Sequence, residues 1–159
     1  MKKILLLSLF ALQVNAQELN FGSTEYTTIS VTIEPASSVK EKSLNATFEF
    51  QYSVHWLYIK PSVQILPSIN YVDTALGLGI LLDKGYYQDW VFYSGIRLGY
   101  IHRGATYPLF GWECGFDRKI TDNLYLGLRA TYDWRTDFDF SQADAEYQFN
   151  GGIKLTYKF

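Results

Sequence analysis

The chain has 159 residues, of which 48 % are apolar, 18 % aromatic and only 19 % charged; its formal net charge is −2 and its mean hydropathy −0.07. This is one domain's length of chain, too apolar and aromatic for a disordered segment, and without the basic excess of a nucleic-acid binder. Its single cysteine, Cys114, excludes an intrachain disulfide and a cysteine-rich zinc site.

Met1-Lys2-Lys3 precedes an apolar run from Ile4 to Leu12 broken only by Ser8, and Val14 and Ala16 supply small residues after it. A basic start, a short apolar core and small residues predict a secretory signal peptide over 1–16, cut between Ala16 and Gln17. The core is too short to span a bilayer, which takes about 20 residues. Loss of Lys2 and Lys3 moves the net charge from −2 to −4. Position 17 is Gln rather than Cys, so no lipoprotein attachment site stands at the cut. No later stretch is apolar enough for a membrane-spanning helix, and residues 17–159 read as one domain.

From there the chain alternates. Thr27, Ile29, Val31 and Ile33 stand between Thr28, Ser30, Thr32 and Glu34. Over 43–54, Leu44, Ala46, Phe48, Phe50, Tyr52 and Val54 stand between Asn45, Thr47, Glu49, Gln51 and Ser53. The third segment alternates Leu57, Ile59, Val63 and Ile65 with Tyr58, Lys60, Ser62 and Gln64. Pro61 and Pro67 cannot donate ladder hydrogen bonds, which predicts a bulge or break there. Val72 to Leu82, Trp90 to Tyr100 and Phe110 to Phe116 follow the same rule. In 124–135 Leu124, Leu126, Leu128, Ala130, Tyr132 and Trp134 share one face. In the last segment Tyr147, Phe149, Ile153, Leu155, Tyr157 and Phe159 do, interrupted by Gly151. Period two is the strand signature, so the sequence predicts eight strands. Turn residues separate them at 35–38, 67–68, 83–85, 103–104, 121–123 and 136–144.

The polar face holds Gly77, Gly79, Gly95, Gly99, Gly111, Gly115, Gly127 and Gly152, small enough for the inside of a narrow eight-stranded barrel. It also mixes charges of both signs: Glu49, Lys60, Asp73, Arg97, Glu113, Asp117, Arg129, Asp133 and Lys154. Opposite charges in a closed lumen can satisfy one another. Five tyrosines, Tyr26, Tyr58, Tyr71, Tyr93 and Tyr125, share that parity. The rings of the other face crowd an outer wall, and Tyr52, Trp90, Phe92, Tyr100, Trp112, Tyr132, Trp134 and Tyr147 are candidates for aromatic girdles. The expected fold is therefore all-β: an eight-stranded antiparallel up-and-down transmembrane β-barrel, apolar outside and polar in the lumen. Lipid offers no partner to an open strand edge, which requires closure.

Export signal, eight alternating strands and the terminal Tyr157-Lys158-Phe159 resemble the small eight-stranded outer-membrane barrels of diderm bacteria, of the OmpA-barrel and OmpX-like kind. The alternation of Ile153, Leu155, Tyr157 and Phe159 resembles their C-terminal signal, which the barrel-assembly machinery reads. The resemblance covers 24–159. It implies an outer-membrane location with both termini periplasmic, and contact with membrane lipid and lipopolysaccharide. It leaves the role open, because such barrels serve as anchors, adhesins, pores and lipid-modifying enzymes. External loops are expected near 35–42, 67–71, 103–109 and 136–144, all too short for an adhesive platform.

The sequence admits three sharper readings. A lipid A-modifying enzyme would need a hydroxyl nucleophile and an acid beside His102, but no Ser stands two residues on, and Glu113 has inward parity. A pore would need an unfilled lumen, whereas the charged residues are expected to plug it. Asp137, Asp139 and Asp144 could attract Ca²⁺, without a calcium-loop spacing. Cys114 has outward parity. The expectation is a monomeric structural or envelope-maintenance barrel that uses no cofactor or metal and binds no nucleic acid.

Overall fold

The computed structural model describes residues 25–82, 89–135 and 147–159. The expected signal peptide over 1–16 and the acidic stretch 136–144 lie outside the described residues. The elements in chain order are β1 (Glu25–Ile33), α1 (Pro35–Lys40), β2 (Ala46–Val54), β3 (Leu57–Leu66), a single 3-10 turn (Pro67–Ile69), β4 (Tyr71–Leu82), β5 (Trp90–Arg103), β6 (Ala105–Lys119), β7 (Leu124–Arg135) and β8 (Tyr147–Lys158). Each strand pairs antiparallel with the next, and β8 returns to pair with β1, closing an eight-stranded up-and-down barrel. Inside and outside follow the alternation residue by residue. In β7 the positions of Tyr125, Gly127, Arg129, Thr131, Asp133 and Arg135 are buried, while Leu126, Leu128 and Tyr132 are exposed.

The turn chemistry accounts for where strands stop. His55 adopts a positive φ of 56° in the two-residue β2–β3 turn, and Gly104, at φ 74°, is the whole connection between β5 and β6. Here the structure corrects the sequence expectation of an external loop over 103–109. His102 pairs with Thr106 and Tyr100 with Pro108, so the hairpin extends to its tip. Pro108 lies opposite Tyr100 within this hairpin, one residue before the described β6–β7 ladder begins at Leu109↔Arg135.

Pro61 does not break β3 either. The β3–β4 ladder runs through Pro61↔Leu76, while the β2–β3 ladder is interrupted between Glu49↔Ser62 and Tyr52↔Ile59. Only the ladder that needs the missing donor is lost. Pro67 opens the 3-10 turn, which ends on Asn70 in the left-handed region.

Residues 43–45 continue the alternation but belong to a loop, with Leu44 exposed. The reason is a mismatch of strand lengths. The β1–β8 ladder ends at Ile33↔Ile153, although β8 continues to Tyr147. The segment from Glu34 to Asn45, including α1, fills the step. Glu34 is only 3 % exposed. Asn45 Nδ2 donates to Glu34 Oε2 at 2.8 Å and Gln64 Nε2 to Glu34 Oε1 at 3.1 Å. Ser38 Oγ donates to the Glu34 carbonyl at 2.7 Å and accepts from the Asn45 amide at 2.9 Å.

Burial pushes the Glu34 carboxyl above its ordinary range, against the pull of Arg129 and Arg97. A raised folded pKa means that this group's stabilising contribution is complete below its unfolded pKa, about 4.3, and is lost as pH rises through the raised value. Glu34→Gln imitates the protonated form. It is expected to resist urea better than the parent at neutral pH and to lose that advantage at acid pH. Urea titrations at the two pH values check this; an advantage that persists at low pH contradicts it.

Candidate functional site: the charged lumen

All nine charged lumen candidates are buried, and the pairing register gathers them into two groups. In the larger, Glu49 is the hub. Its Oε1 lies 3.3 Å from Lys60 Nζ and 3.0 Å from Arg129 Nε, and its Oε2 lies 3.9 Å from Lys154 Nζ. Glu113 shares two of these cations, with Lys60 at 2.9 Å and Arg129 at 3.7 Å. Asp117 takes Lys154 at 3.0 Å. Three carboxylates thus face three cations. The smaller group is Arg97 between two carboxylates, Asp133 at 2.6 Å and Asp73 at 3.2 Å. Thr131 Oγ1 donates to Asp133 at 2.9 Å and Tyr71 Oη to Asp73 at 3.3 Å, which shares out the excess negative charge.

Glycines make the room. The ladder sets Lys60 opposite Gly77, Gly77 opposite Arg97, Arg97 opposite Gly111 and Gly111 opposite Asp133. Long and absent side chains therefore alternate around one belt of the lumen. At Gly79 a Cβ would stand 2.6 Å from Tyr58 Oη and 2.6 Å from the backbone of Gly95, so any side chain there collides with main chain that cannot move. The lumen is packed as a core is packed, with charged side chains in place of aliphatic ones.

The five inward tyrosines are buried. Tyr58 Oη donates to Glu113 Oε1 at 2.8 Å. Tyr93 plays a part that its parity does not announce: its ring lies 4.6 Å from Lys60 Nζ and 4.3 Å from Lys154 Nζ. Both ammonium groups meet its π-face, a contact strengthened by desolvation. Arg135, buried at the end of β7, was not among the candidates. It lies 4.8 Å from the Tyr71 ring and hydrogen-bonds Gln148. Its odd parity, shared with Arg129 and Asp133, was the available signal.

The girdle candidates stand on the outer face. Trp90, Phe92, Tyr100, Trp112, Tyr132 and Tyr147 are about half exposed, and Tyr52 and Trp134 less so. Near one end of the barrel Trp90 packs on Phe92 and Phe116, with centroids at 6.5 and 6.0 Å. Near the other, Tyr132 and Tyr147 stack at 5.2 Å. Trp112 stands nearer mid-strand, opposite Ile96 and Tyr132. Ile153, Leu155, Tyr157 and Phe159 are all exposed on the outer wall of β8 or just beyond it. The end of that strand is fastened by the Phe159 amide, which donates to the Thr27 carbonyl at 3.0 Å, and by Asn123 Nδ2, which donates to the Lys158 carbonyl at 2.8 Å.

No protein-family model matches the chain, and no curated protein does. Solved structures do. A chain from work titled "De novo design of transmembrane beta-barrels" aligns with TM-score 0.57 at 17 % identity, over 84 % of this chain and 95 % of that one. Neisserial surface protein A aligns with TM-score 0.51 at 14 % identity, over 86 % and 98 %. The chain has the fold of a transmembrane β-barrel. A second designed barrel, solved by NMR, aligns with TM-score 0.53 at 15 % identity, over 86 % and 94 %. At these identities the likeness carries the fold alone.

Two other candidates are placed by the structure. His102 is exposed on the outer face, its Nδ1 3.1 Å from Thr106 Oγ1. Glu113 lies inside, bonded to Tyr58 and Lys60, so the barrel wall separates the two. Cys114 is exposed on the outer wall. Among the described residues no cluster of His, Cys, Asp or Glu could hold a metal ion; Asp137, Asp139 and Asp144 lie outside them.

Proposed function

We propose that the protein is an outer-membrane barrel of a diderm bacterium with a structural or envelope-maintenance role, its lumen plugged and both termini in the periplasm. One observation carries this reading: buried ion pairs joining Glu49, Lys60, Glu113, Arg129, Lys154 and Asp117 bridge side chains from β2, β3, β6, β7 and β8 across the lumen. A passage for ions would need these pairs to part, and each exposed partner would then be a buried charge without compensation. The outer wall, with about half of each large apolar side chain exposed, suits lipid rather than water. The connections support this orientation. The end with the termini has the connections 55–56, 83–89 and 120–123; the opposite end has the short 67–70 and Gly104 but also the two longest, 34–45 and 136–146. That is the usual division between periplasmic turns and external loops. The partners in this reading are membrane lipid, lipopolysaccharide and the assembly machinery, the last through Ile153, Leu155, Tyr157 and Phe159, and the working form is a monomer.

The expected result in planar bilayers is an absence of stable conductance steps; a reproducible single-channel step overturns the plug. A deletion strain is expected to become more permeable while its lipid A acylation is unchanged. An altered lipid A pattern would instead support a lipid-modifying enzyme.

A further inference from the structure

The outer wall is not uniform. Over β3 and β4 it carries a groove of about 670 Å³, within the roughly 300–1,000 Å³ of small-molecule sites. Its floor is Pro61, Val63 and Thr74, and Phe48, Phe50 and Tyr100 are among its walls. The cause is local. Three short side chains face outward side by side, while neighbouring strands present rings.

Beyond the Tyr100 end of this groove the surface turns polar. Past Tyr100, β5 keeps the same face for two residues and reaches His102, about 7 Å further at the rise of a strand. Arg103 follows at the hairpin tip. His102 is held by Thr106, and both are exposed, as is Arg103. The rim from 67 to 70 and from 102 to 107 contains no carboxylate. Asp73, on the adjoining strand, points into the lumen and is bound by Arg97. An apolar furrow beneath a rim that carries Arg103 and His102 fits a molecule with an alkyl chain and an anionic head.

We propose that this groove holds an acyl chain of an outer-leaflet glycolipid of the lipid A type, with a phosphate of its headgroup against Arg103 and His102. The choice of leaflet rests on the orientation proposed above, which puts the His102 end outside. A second outer groove of about 500 Å³ over β6 to β8, lined by Cys114, Ala130 and Gly151, provides the control. Of the described residues lining it the one cation, Arg129, is buried and bound to Glu49; the exposed Arg118, two residues past Phe116 on β6, stands toward the end of the barrel opposite His102.

The test reconstitutes the full-length barrel in phosphatidylethanolamine vesicles containing lipid A, extracts it in mild detergent and counts retained lipid by native mass spectrometry. The parent and Ala130→Trp are expected to retain one lipid A. Val63→Trp, which fills the furrow, and Arg103→Glu, which reverses the rim charge, are expected to lower that retention about tenfold. Arg103 lies at an exposed tip, so its variant tests the site even if the furrow variant folds poorly. Undiminished retention in Arg103→Glu overturns the proposal. So does equal retention of phosphatidylglycerol when it replaces lipid A. Gel mobility of unboiled samples reports separately on folding: a parent that never forms a heat-modifiable band in vesicles sinks the membrane-barrel reading itself, whereas a folded parent without retained lipid sinks only the site.

Discussion

Replacing Glu49 by alanine is expected to cost the folded barrel about 3–5 kcal/mol, the range for removing one partner of a buried charge network. Glu49 is the carboxylate that Lys60, Arg129 and Lys154 share. Without it, Glu113 must serve Lys60 and Arg129 alone, and the group changes from three anions against three cations to two against three. The lumen offers no escape to water, since Lys60, Arg129 and Lys154 are each at most 3 % exposed. A second substitution separates lost charge balance from lost packing. Arg129→Ala in the Glu49→Ala background restores two against two, so the double variant is expected to be destabilised by less than the sum of the singles. The coupling should lie between about 0.5 and 3 kcal/mol. Urea unfolding in lipid vesicles, followed by tryptophan fluorescence, measures all three. Simple additivity would mean that the ion pairs do not act as one unit.

How far these features are legible in the sequence depends on whether they are set by alternation or by register. Alternation is local. It places Glu49, Lys60, Arg97 and their companions inside and Trp90 or Tyr132 outside, because a side chain's face depends only on its parity within its strand. Glycine parity adds that the inside is narrow. Register is not local. That Arg97 meets Asp73 and Asp133, while Arg129 turns to Glu49 and Glu113, depends on how far each strand is shifted against the next. The alternation of one strand carries no record of that shift. The same holds for Tyr93, whose parity put it inside but whose place between Lys60 and Lys154 arises from three different strands.

Strand ends are the other blind spot. Asn45 fits the alternation of β2 as well as Thr47 does, yet β1 and β2 stop short of β8, and residues 34–45 are drawn across the gap. Gly104 and Pro108 look like a loop from their turn chemistry. In the structure one residue turns the chain, and the proline sits inside the hairpin, opposite Tyr100.

The sidedness of the wall can be tested most directly at Leu128. It stands in the middle of β7, opposite Phe116 and Ile153, and is 48 % exposed on the outer face. If that face lies in hydrocarbon, Leu128→Arg places a guanidinium near the bilayer midplane, at a cost of about 2–4 kcal/mol. If the barrel were a water-soluble container, the same change would put a charge into solvent and stay within about 0.5 kcal/mol of neutral. Ile120 supplies the depth control. It is 56 % exposed and lies in the β6–β7 turn; there Ile120→Arg is expected to cost no more than about 1 kcal/mol, as near a membrane interface. Unfolding free energies of the two variants in vesicles therefore give a ratio that surface charge effects alone do not produce. A large penalty at Leu128 with a small one at Ile120 sets the apolar band across the middle of the strands. Equal small penalties would leave the exposed leucines and rings of the outer wall without lipid to explain them.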